Sequence, residues 1–382
     1  MISRLWQNGP AVPLTTPFLS TEGNPVDHAA LAKQVVRCAK AGLGIVLLGT
    51  TGEASHLSDK ERKECVYTAR KALDENGLES APLCPTHVPG GSLPTTLQLT
   101  KDAAEAGATH ALVICPGYFA FSMKEDRAAI LSFFRGVMDK SPLPVMIYNF
   151  PGAASSIDLN SDEISELADH PMCFGVKLTC AMVGKGQRIA AYTQSQEYLA
   201  KKGSMLKSYS SSGQFQVLPG FSESLLPVLV ARHTGFVDLT EFDLVTYAPF
   251  SPHIDFYHNA PRSRAYLYSP LCYLSCITGT GCLFPHTIRR LYDLSIAGLK
   301  GDPSALAEAM TLQDRIARSD FIVVKASFAG SKYFLDKYVE KGLGGVCRYP
   351  LGPVSEKITK MIDADLAEDW QYEVSLAGDT KA

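Results

Sequence analysis

Short apolar runs alternate with longer helical patterns along most of this 382-residue chain, and this alternation limits the possible folds more than any other feature. The runs are apolar on both sides, as expected of strands that a parallel sheet buries on both faces. The segments between them show helical periodicity, and the one that begins at Ser58 opens with a capping box completed by Glu61. Eight strands alternating with eight helices predict an α/β fold, a parallel sheet closed into a (β/α)8 TIM barrel. The eight runs begin near Ala11, Ile45, Pro82, His110, Val145, Phe174, Phe215 and Cys276.

An open, doubly wound sheet is the alternative architecture. Such a sheet would place a glycine-rich phosphate-binding turn after its first strand, but here that strand ends in Pro13-Leu14-Thr15-Thr16-Pro17. Gly42-Leu43-Gly44 precedes its strand, and Gly279-Thr280-Gly281 lacks the third glycine of the motif. The closed barrel is therefore favoured.

A helical extension is predicted to follow the barrel. Asp302-Pro303 combines a helix cap with a proline in the first turn, so we divide the chain into a catalytic barrel, residues 1–302, and a C-terminal helical extension, residues 303–382. The tail from Ser375 to Ala382 is mostly small and polar, and we expect it to fray. Helices of the extension are predicted over Ser304–Ser319, Val324–Val339 and Ser355–Asp363.

Two segments interrupt the alternation. Leu199–Gln214 is a polar stretch rich in Ser, Lys and Gly. Phe236–Ser275 holds forty residues with nine aromatic side chains, no glycine, no lysine and no sustained periodicity. A structureless segment of this length is rare inside a compact domain. It is either a functional insertion that packs on the barrel or on a partner, or a translated intron in the gene, and we favour the intron.

Composition and residue spacing exclude several classes of function. A net charge of −3 and a pI near 6.3 give no basis for binding nucleic acid or an anionic membrane. No apolar run approaches the length of a membrane span, and Met1–Trp6 reaches the first strand too soon for a signal peptide. The ten cysteines form no CxxC pair and the nine histidines no HExxH motif. We therefore expect an intracellular, cytoplasmic protein with reduced thiols and no metal site, an organelle being the alternative location.

Two predicted strands contain a reactive side chain that a buried strand normally excludes. Phe174–Thr179 holds Lys177, the only lysine inside a predicted strand, and Met146–Pro151 holds Tyr148. Burial disfavours the ammonium ion, and a neutral amine is the form that attacks a ketone. The two segments are about one strand–helix unit apart, so we expect neighbouring strands, where a phenol can move protons to and from an imine. The alternative is a lysine in a buried ion pair beside a core tyrosine.

The second strand ends in Gly49-Thr50-Thr51-Gly52-Glu53, at the end of the barrel where chemistry is expected. Glycines on both sides of two threonines predict a tight turn that exposes N–H groups and hydroxyls, which suits a small carboxylate. The alternative is a turn whose hydroxyls only cap the following segment.

Three motifs together resemble the dihydrodipicolinate synthase / N-acetylneuraminate lyase family. They are Gly49-Thr50-Thr51-Gly52-Glu53, Tyr148-Asn149-Phe150-Pro151 and Gly175-Val176-Lys177, in that order on strands two, five and six. The resemblance covers nearly the whole chain, from Pro13-Leu14-Thr15-Thr16-Pro17-Phe18 to Arg348-Tyr349-Pro350-Leu351. It implies a class I, Schiff-base, pyruvate-dependent aldolase that needs no metal or organic cofactor and assembles as a homo-oligomer, a dimer or a tetramer.

The resemblance also implies catalytic roles. Lys177 would form the imine with pyruvate or another α-keto acid. Tyr148 would shuttle protons, and Thr51 would link it to solvent or to a second tyrosine. Thr50 and Thr51 would bind the pyruvate carboxylate within the turn that Gly49 opens.

Three further positions follow from the same resemblance. Tyr118 falls where family members place a tyrosine that reaches into a neighbouring subunit's site, although Gly117 stands where the family motif carries an adjacent tyrosine. Gly220 and Ile277 would line the pocket from strands seven and eight.

The substrate is inferred from a missing arginine. Family members that make the lysine precursor carry an arginine two residues after the proline of the tyrosine motif, whereas Ala153 stands there in this chain. Without the arginine, the chain lacks a guanidinium that could bind a carboxylate through two parallel hydrogen bonds. We therefore expect cleavage of a 4-hydroxy-2-keto acid, such as a 2-keto-3-deoxy sugar acid or 4-hydroxy-2-oxoglutarate. The alternatives are dihydrodipicolinate synthase itself and an inactive barrel that binds keto acids.

Overall fold

The computed structural model describes residues 4–87, 92–232 and 276–379, and it forms a parallel barrel. Seven strands pair with their neighbours in chain order, and each begins within one residue of its predicted start. Every residue of the first strand and of the third to the seventh is buried, as a sheet covered on both faces requires. The strands are β1 (Ala11–Pro13), β2 (Gly44–Leu47), β3 (Leu83–His87), β4 (Ala111–Ile114), β5 (Val145–Asn149), β6 (Cys173–Leu178) and β7 (Gln216–Pro219).

Ile277 closes the barrel in the part of the chain that the structure describes. Its backbone N–H donates to the Pro219 carbonyl of β7 (3.0 Å), and it forms a parallel bridge with Ala11 of β1. The Ala11 N–H donates to Cys276 (2.7 Å), and the Thr278 N–H donates to Ala11 (3.1 Å). Within the described residues, which resume at Cys276, the predicted eighth strand consists of one bridge position, and a tight turn, Gly279–Cys282, follows directly. The predicted barrel fold is confirmed.

Helices lie between the strands, and one of them, Gln196–Leu206, covers the first half of the polar segment Leu199–Gln214 that was expected to interrupt the alternation. Ser195 caps this helix by accepting from the Tyr198 N–H (3.2 Å), and Tyr198 and Leu206 are buried. Its apolar face is narrow, which is why the polar composition concealed it. The helices are α1 (His28–Lys40), α2 (Asp59–Glu75), α3 (Leu93–Glu105), α4 (Ala120–Met123), α5 (Arg127–Lys140), α6 (Ser161–Ala168), α7 (Val183–Thr193), α8 (Gln196–Leu206), α9 (Leu225–Arg232) and α10 (Pro285–Leu299).

The C-terminal extension contains α11 (Pro303–Phe334), α12 (Glu356–Asp365) and α13 (Ala367–Asp379). The break predicted between Ser319 and Val324 lies later in the structure: α11 is helical through those residues and consists of two helices joined across a kink at Ser327 (φ 57°, ψ −164°).

The tail is also more ordered than expected, because α13 extends to Asp379. The Glu373 carboxylate, 2% exposed, accepts from the backbone N–H groups of His286 (3.0 Å) and Thr287 (2.8 Å) at the start of α10. These are N–H groups that a helix leaves unpaired in its first turn, so α13 is attached to the barrel.

The predicted insertion, Phe236–Ser275, lies outside the described residues. Among the helices that are described, none combines the length and the apolar composition needed to cross a membrane.

Candidate active site

Lys177 and Tyr148 lie side by side at the ends of neighbouring strands. They are partners in the β5–β6 register, and both are buried, with 5% and 3% of their surface exposed. The Lys177 Nζ lies 4.5 Å from the centroid of the Tyr148 ring. The same ring stacks on Phe150 at 5.8 Å between centroids. The amine and the phenol are therefore held together by the register of the sheet.

Lys177 differs from the other buried lysines in having no acceptor for its amine. Lys185 donates to Asp158 (2.5 Å), Lys202 to the His170 carbonyl, and Lys332 to Glu53 (2.5 Å). Within the described part of the chain, the Lys177 amine makes no hydrogen bond and no ion pair. Burial raises the pKa of the nearby Cys84 and Cys276 thiols, so neither supplies a negative partner. The alternative of a structural ion pair for Lys177 thus finds no partner among these residues.

Asn149 holds the turn that follows β5. Its amide Nδ2 donates to Asp158 (2.7 Å), and its Oδ1 accepts from the Leu159 N–H (3.0 Å). The side chain is fully buried, so these bonds satisfy both ends of an amide that would otherwise be costly to bury. The Tyr-Asn-Phe-Pro motif therefore contains both the tyrosine beside Lys177 and the residue that shapes the following loop.

The threonine turn follows β2 and brings Thr50 to Tyr148. The carbonyls of Gly49 and Thr50 accept from the N–H groups of Ala54 (3.2 Å) and Glu53 (3.1 Å), which makes the turn tight. The Thr50 hydroxyl lies 3.5 Å from the Tyr148 hydroxyl, at the outer limit of a hydrogen bond. Thr50 is thus the threonine of this turn that contacts Tyr148, and the link predicted for Thr51 stays a prediction. Thr51 Oγ1 instead faces Gly279 on the turn after Ile277.

Gly220 and Ile277 occupy the barrel end at strands seven and eight. The Gly220 N–H donates to the Leu178 carbonyl (2.8 Å), and a Cβ at this position would lie 2.2 Å from Thr179 Oγ1. Only glycine fits beside that hydroxyl. Ile277 is fully buried at the closure of the barrel.

Two hydroxyls near the site were not identified from the sequence. Thr179 Oγ1 and Thr86 Oγ1 are buried atoms without a hydrogen-bond partner in the described structure. The Thr179 N–H donates to Asn149, so strand pairing continues one residue past β6. Because side chains alternate along a strand, Thr179 projects to the same side as Lys177. That spacing of two was visible in the sequence.

Tyr118 is separate from this group. It follows β4 and is 78% exposed, and its ring packs edge-on against Phe119 (5.0 Å), which contacts Phe121 in turn. A Cβ at Gly117 would lie 2.9 Å from the backbone of Ala154, so the close approach of two loops explains the glycine there.

The comparisons with known proteins agree with this geometry. A sequence model described as the dihydrodipicolinate synthetase family matches residues 7–213. L-threo-3-deoxy-hexylosonate aldolase of Aspergillus niger is 29% identical, with 95% of each chain covered. A protein of Emericella nidulans named "Probable 4-hydroxy-2-oxoglutarate aldolase, mitochondrial" is 31% identical, with 93% of each chain covered.

A solved structure supports the same assignment. The crystal structure of a dihydrodipicolinate synthase family protein from Coccidioides immitis is 28% identical, with a TM-score of 0.70, and covers 98% of this chain and 100% of that one. The relationship predicted from three motifs is thereby confirmed. This chain belongs to the dihydrodipicolinate synthetase family.

Proposed function

We propose that this protein is a class I aldolase that cleaves a 4-hydroxy-2-keto acid to pyruvate and an aldehyde through an imine on Lys177. The observation that carries the proposal is the buried Lys177 amine, unpaired within the described structure and 4.5 Å from the Tyr148 ring centroid. An amine that is neither salt-bridged nor exposed to water is suited to attack a carbonyl carbon.

The reaction follows from these groups. The Lys177 amine adds to the C2 ketone, and loss of water gives the imine. Removal of the proton from the C4 hydroxyl breaks the C3–C4 bond, the electron pair moves into the imine, and the aldehyde leaves. Protonation at C3 and addition of water then release pyruvate and the free lysine. Tyr148 carries the protons, with Thr50 as its hydroxyl neighbour.

The threonine turn would bind the keto acid's carboxylate. Thr50 and Thr51 offer hydroxyls and N–H groups next to Gly49, and such a concave run of donors suits an anion. Gly220 and Ile277 would form the wall at strands seven and eight.

The substrate class rests on the turn after β5. Ala153 is exposed there, in a single helical turn, Pro151–Ala153, and offers no cation to a second carboxylate. The names of the two aldolase relatives also point to 4-hydroxy-2-keto acids. Dihydrodipicolinate synthase activity is the second candidate. An inactive keto-acid-binding barrel is disfavoured, because a pure binding site has no use for an unpaired buried amine.

We also propose that the protein is a homo-oligomer, a dimer or a tetramer. Tyr118, Phe119 and Phe121 form an exposed aromatic cluster after β4, with 78%, 53% and 83% of their surfaces accessible. Exposed aromatic clusters of this kind are typical of protein interfaces. A second copy of the chain would cover the cluster and bring Tyr118 to a neighbouring site.

An intracellular location is proposed from the thiols. Among the described residues, eight cysteines other than Cys276 form no disulfide, and six of these eight are buried. A reducing compartment, the cytoplasm or the interior of an organelle, maintains that state.

The test is a screen of 4-hydroxy-2-keto acids for pyruvate release, with pyruvate detected by a coupled reductase. We expect turnover of at least one sugar-derived or dicarboxylic 4-hydroxy-2-keto acid by the wild type and none by Lys177→Arg. Condensation of pyruvate with aspartate semialdehyde is measured in parallel. Activity only in that reaction would assign the protein to the synthase, and activity in neither would support the inactive barrel.

A further inference from the structure

Glu53 ends the threonine turn in a conformation that its side chain must maintain. Its backbone lies in the left-handed region (φ 50°, ψ 38°), which residues other than glycine rarely adopt. Its N–H donates to the carbonyl of Thr50 (3.1 Å), so the position of Glu53 determines that of the turn. The Glu53 side chain is completely buried. Its partners are therefore connected to the turn that carries Thr50.

Two of those partners come from the C-terminal extension, and a third is His56, whose Nδ1 lies 3.4 Å from Glu53 Oε2. Lys332 of α11 places its Nζ 2.5 Å from Glu53 Oε1, and the backbone N–H of Arg348 donates to Oε2 (3.1 Å). Lys332 is 2% exposed, and its amine also donates to the Val346 carbonyl (2.6 Å) and faces the Phe18 ring. A residue far along the chain thus reaches the back of the substrate turn.

The ion pair is fully enclosed, which limits the roles it can have. Burial lowers the pKa of Lys332, and the Glu53 carboxylate opposes that shift. Buried ion pairs seldom stabilise a fold more than an apolar pair of the same size would. Removal of one partner leaves an uncompensated charge, whereas replacement of both leaves none. The geometry of the turn is a better reason for the pair than the stability of the barrel.

We propose that Lys332 is a positioning residue for the aldolase reaction, acting through Glu53 to hold the Thr50 hydroxyl against Tyr148. The proposal rests on the proposed function of the same site. Lys332 touches no reacting atom in this arrangement. Lys332 instead holds Glu53, Glu53 holds the threonine turn, and the turn places the Thr50 hydroxyl beside Tyr148.

The test uses a neutral replacement of the pair, Glu53→Gln with Lys332→Met, because the double variant leaves no unpaired charge and should fold. We expect kcat to fall by about 10²-fold, the loss that a small displacement of an acid–base group can produce, while pyruvate still forms an adduct on Lys177. Lys202→Met is the matched control. Lys202 is equally buried on a helix, but its amine bonds to backbone carbonyls of Asp169 and His170, and the variant should keep wild-type kcat.

Thr50→Val in both backgrounds separates a positioning role from a structural one. If Lys332 acts through Thr50, this substitution lowers kcat strongly in the wild type but by less than about twofold in the double variant, because coupled residues are not additive. An equal loss in both backgrounds would overturn the proposal, as would wild-type kcat in the double variant. Circular dichroism and thermal melting check that each variant is folded.

The outcomes also distinguish this proposal from the proposed function. A wild type that neither cleaves keto acids nor forms an adduct with pyruvate overturns both. A wild type that turns over, together with a double variant that is folded and fully active, overturns only the role of Lys332. If the double variant does not fold, Lys332→Arg, which keeps the charge but moves it, takes its place. Its kcat must then be lower than that of Lys202→Met while its melting temperature matches that of Lys202→Met, or the proposal fails.

Discussion

The amine of Lys177 lies 4.5 Å from the centre of the Tyr148 ring, and the two residues are register partners on adjacent strands. The amine therefore faces the π surface of the ring, while the phenol hydroxyl points to Thr50. This arrangement places the amine and the phenol, which we propose as nucleophile and proton carrier, on one piece of sheet. Their separation does not depend on the conformation of a loop.

Reduction with borohydride in the presence of pyruvate should trap a covalent adduct on Lys177. The chain offers an internal control, since Lys185, Lys202 and Lys332 are equally buried but have acceptors for their amines. Peptide mapping should find the adduct on Lys177 and on none of these three. An adduct on a different lysine in active protein would contradict the assignment. Lys177→Arg should abolish turnover, because a guanidinium is not a usable nucleophile.

Tyr148→Phe should retain pyruvate binding and lose about 10²–10⁴-fold in kcat, as expected when a positioned acid–base group is removed. Thr50→Val should lower kcat more than Thr51→Val, because only the Thr50 hydroxyl lies within 3.5 Å of the Tyr148 hydroxyl. Steady-state kinetics of all three variants are the measurement. A larger loss of kcat for Thr51→Val would instead support Thr51, the residue predicted from the sequence, as the link between Tyr148 and solvent.

Aspartate semialdehyde should be a poorer partner than neutral hydroxyaldehydes in the condensation direction. Ala153 provides no cation for its carboxylate, and the position is exposed. The comparison is between kcat/KM values for the two classes of aldehyde. Ala153→Arg should narrow the difference by adding a carboxylate clamp. A wild type that prefers the semialdehyde would show that another group binds the carboxylate.

Glu61 should make folding stability depend on pH in the acid range. Its hydrogen bond with Arg348 lowers the pKa of the carboxyl from 4.5 to about 2. Because the folded value is the lower one, the stabilisation is complete above about pH 4.5 and is lost as the pH falls towards 2. Glu61→Gln keeps the capping interaction with Ser58 and removes only the charge.

The free energies of unfolding in urea of the wild type and of Glu61→Gln should therefore differ most near neutral pH and become equal towards pH 2. Glu64→Gln is the control, since Glu64 lies on the same helix and is exposed in a surface pair with Lys60. Its free energy of unfolding should follow that of the wild type at every pH, because an exposed ion pair contributes little. A difference in the free energy of unfolding between wild type and Glu61→Gln that stays constant down to pH 2 would contradict the Arg348 interaction.

Deletion of residues 236–275 should keep aldolase activity and improve solubility. The segment falls between α9 and Ile277, and helix-to-strand connections of a barrel lie at the face opposite the one where the strands end. Sequencing of the mature transcript decides whether the segment is a translated intron. Loss of folding in the shortened chain would show that it is part of the native structure.

The barrel and its main motifs were predictable because they depend on local patterns. Burial on both faces marks each strand from Ala11 to Phe215, and the Ser58–Glu61 capping box is formed as predicted. Lys177 and Tyr148 could be paired in advance because consecutive strands of a barrel are neighbours and their chain separation is one strand–helix unit. These features follow from spacing alone.

Other contacts were decided only when distant segments met. Sequence spacing could not distinguish Thr50 from Thr51 as the neighbour of Tyr148, because the choice depends on how the turn after β2 is held. That turn is held by Lys332 and Arg348, and α13 is attached through Glu373, all from the C-terminal extension. Contacts between side chains so far apart in the chain cannot be predicted from sequence spacing, because no periodic pattern relates the two positions. The sequence by itself therefore determined the sheet and the position of its buried lysine, and the tertiary structure decided which groups surround that lysine.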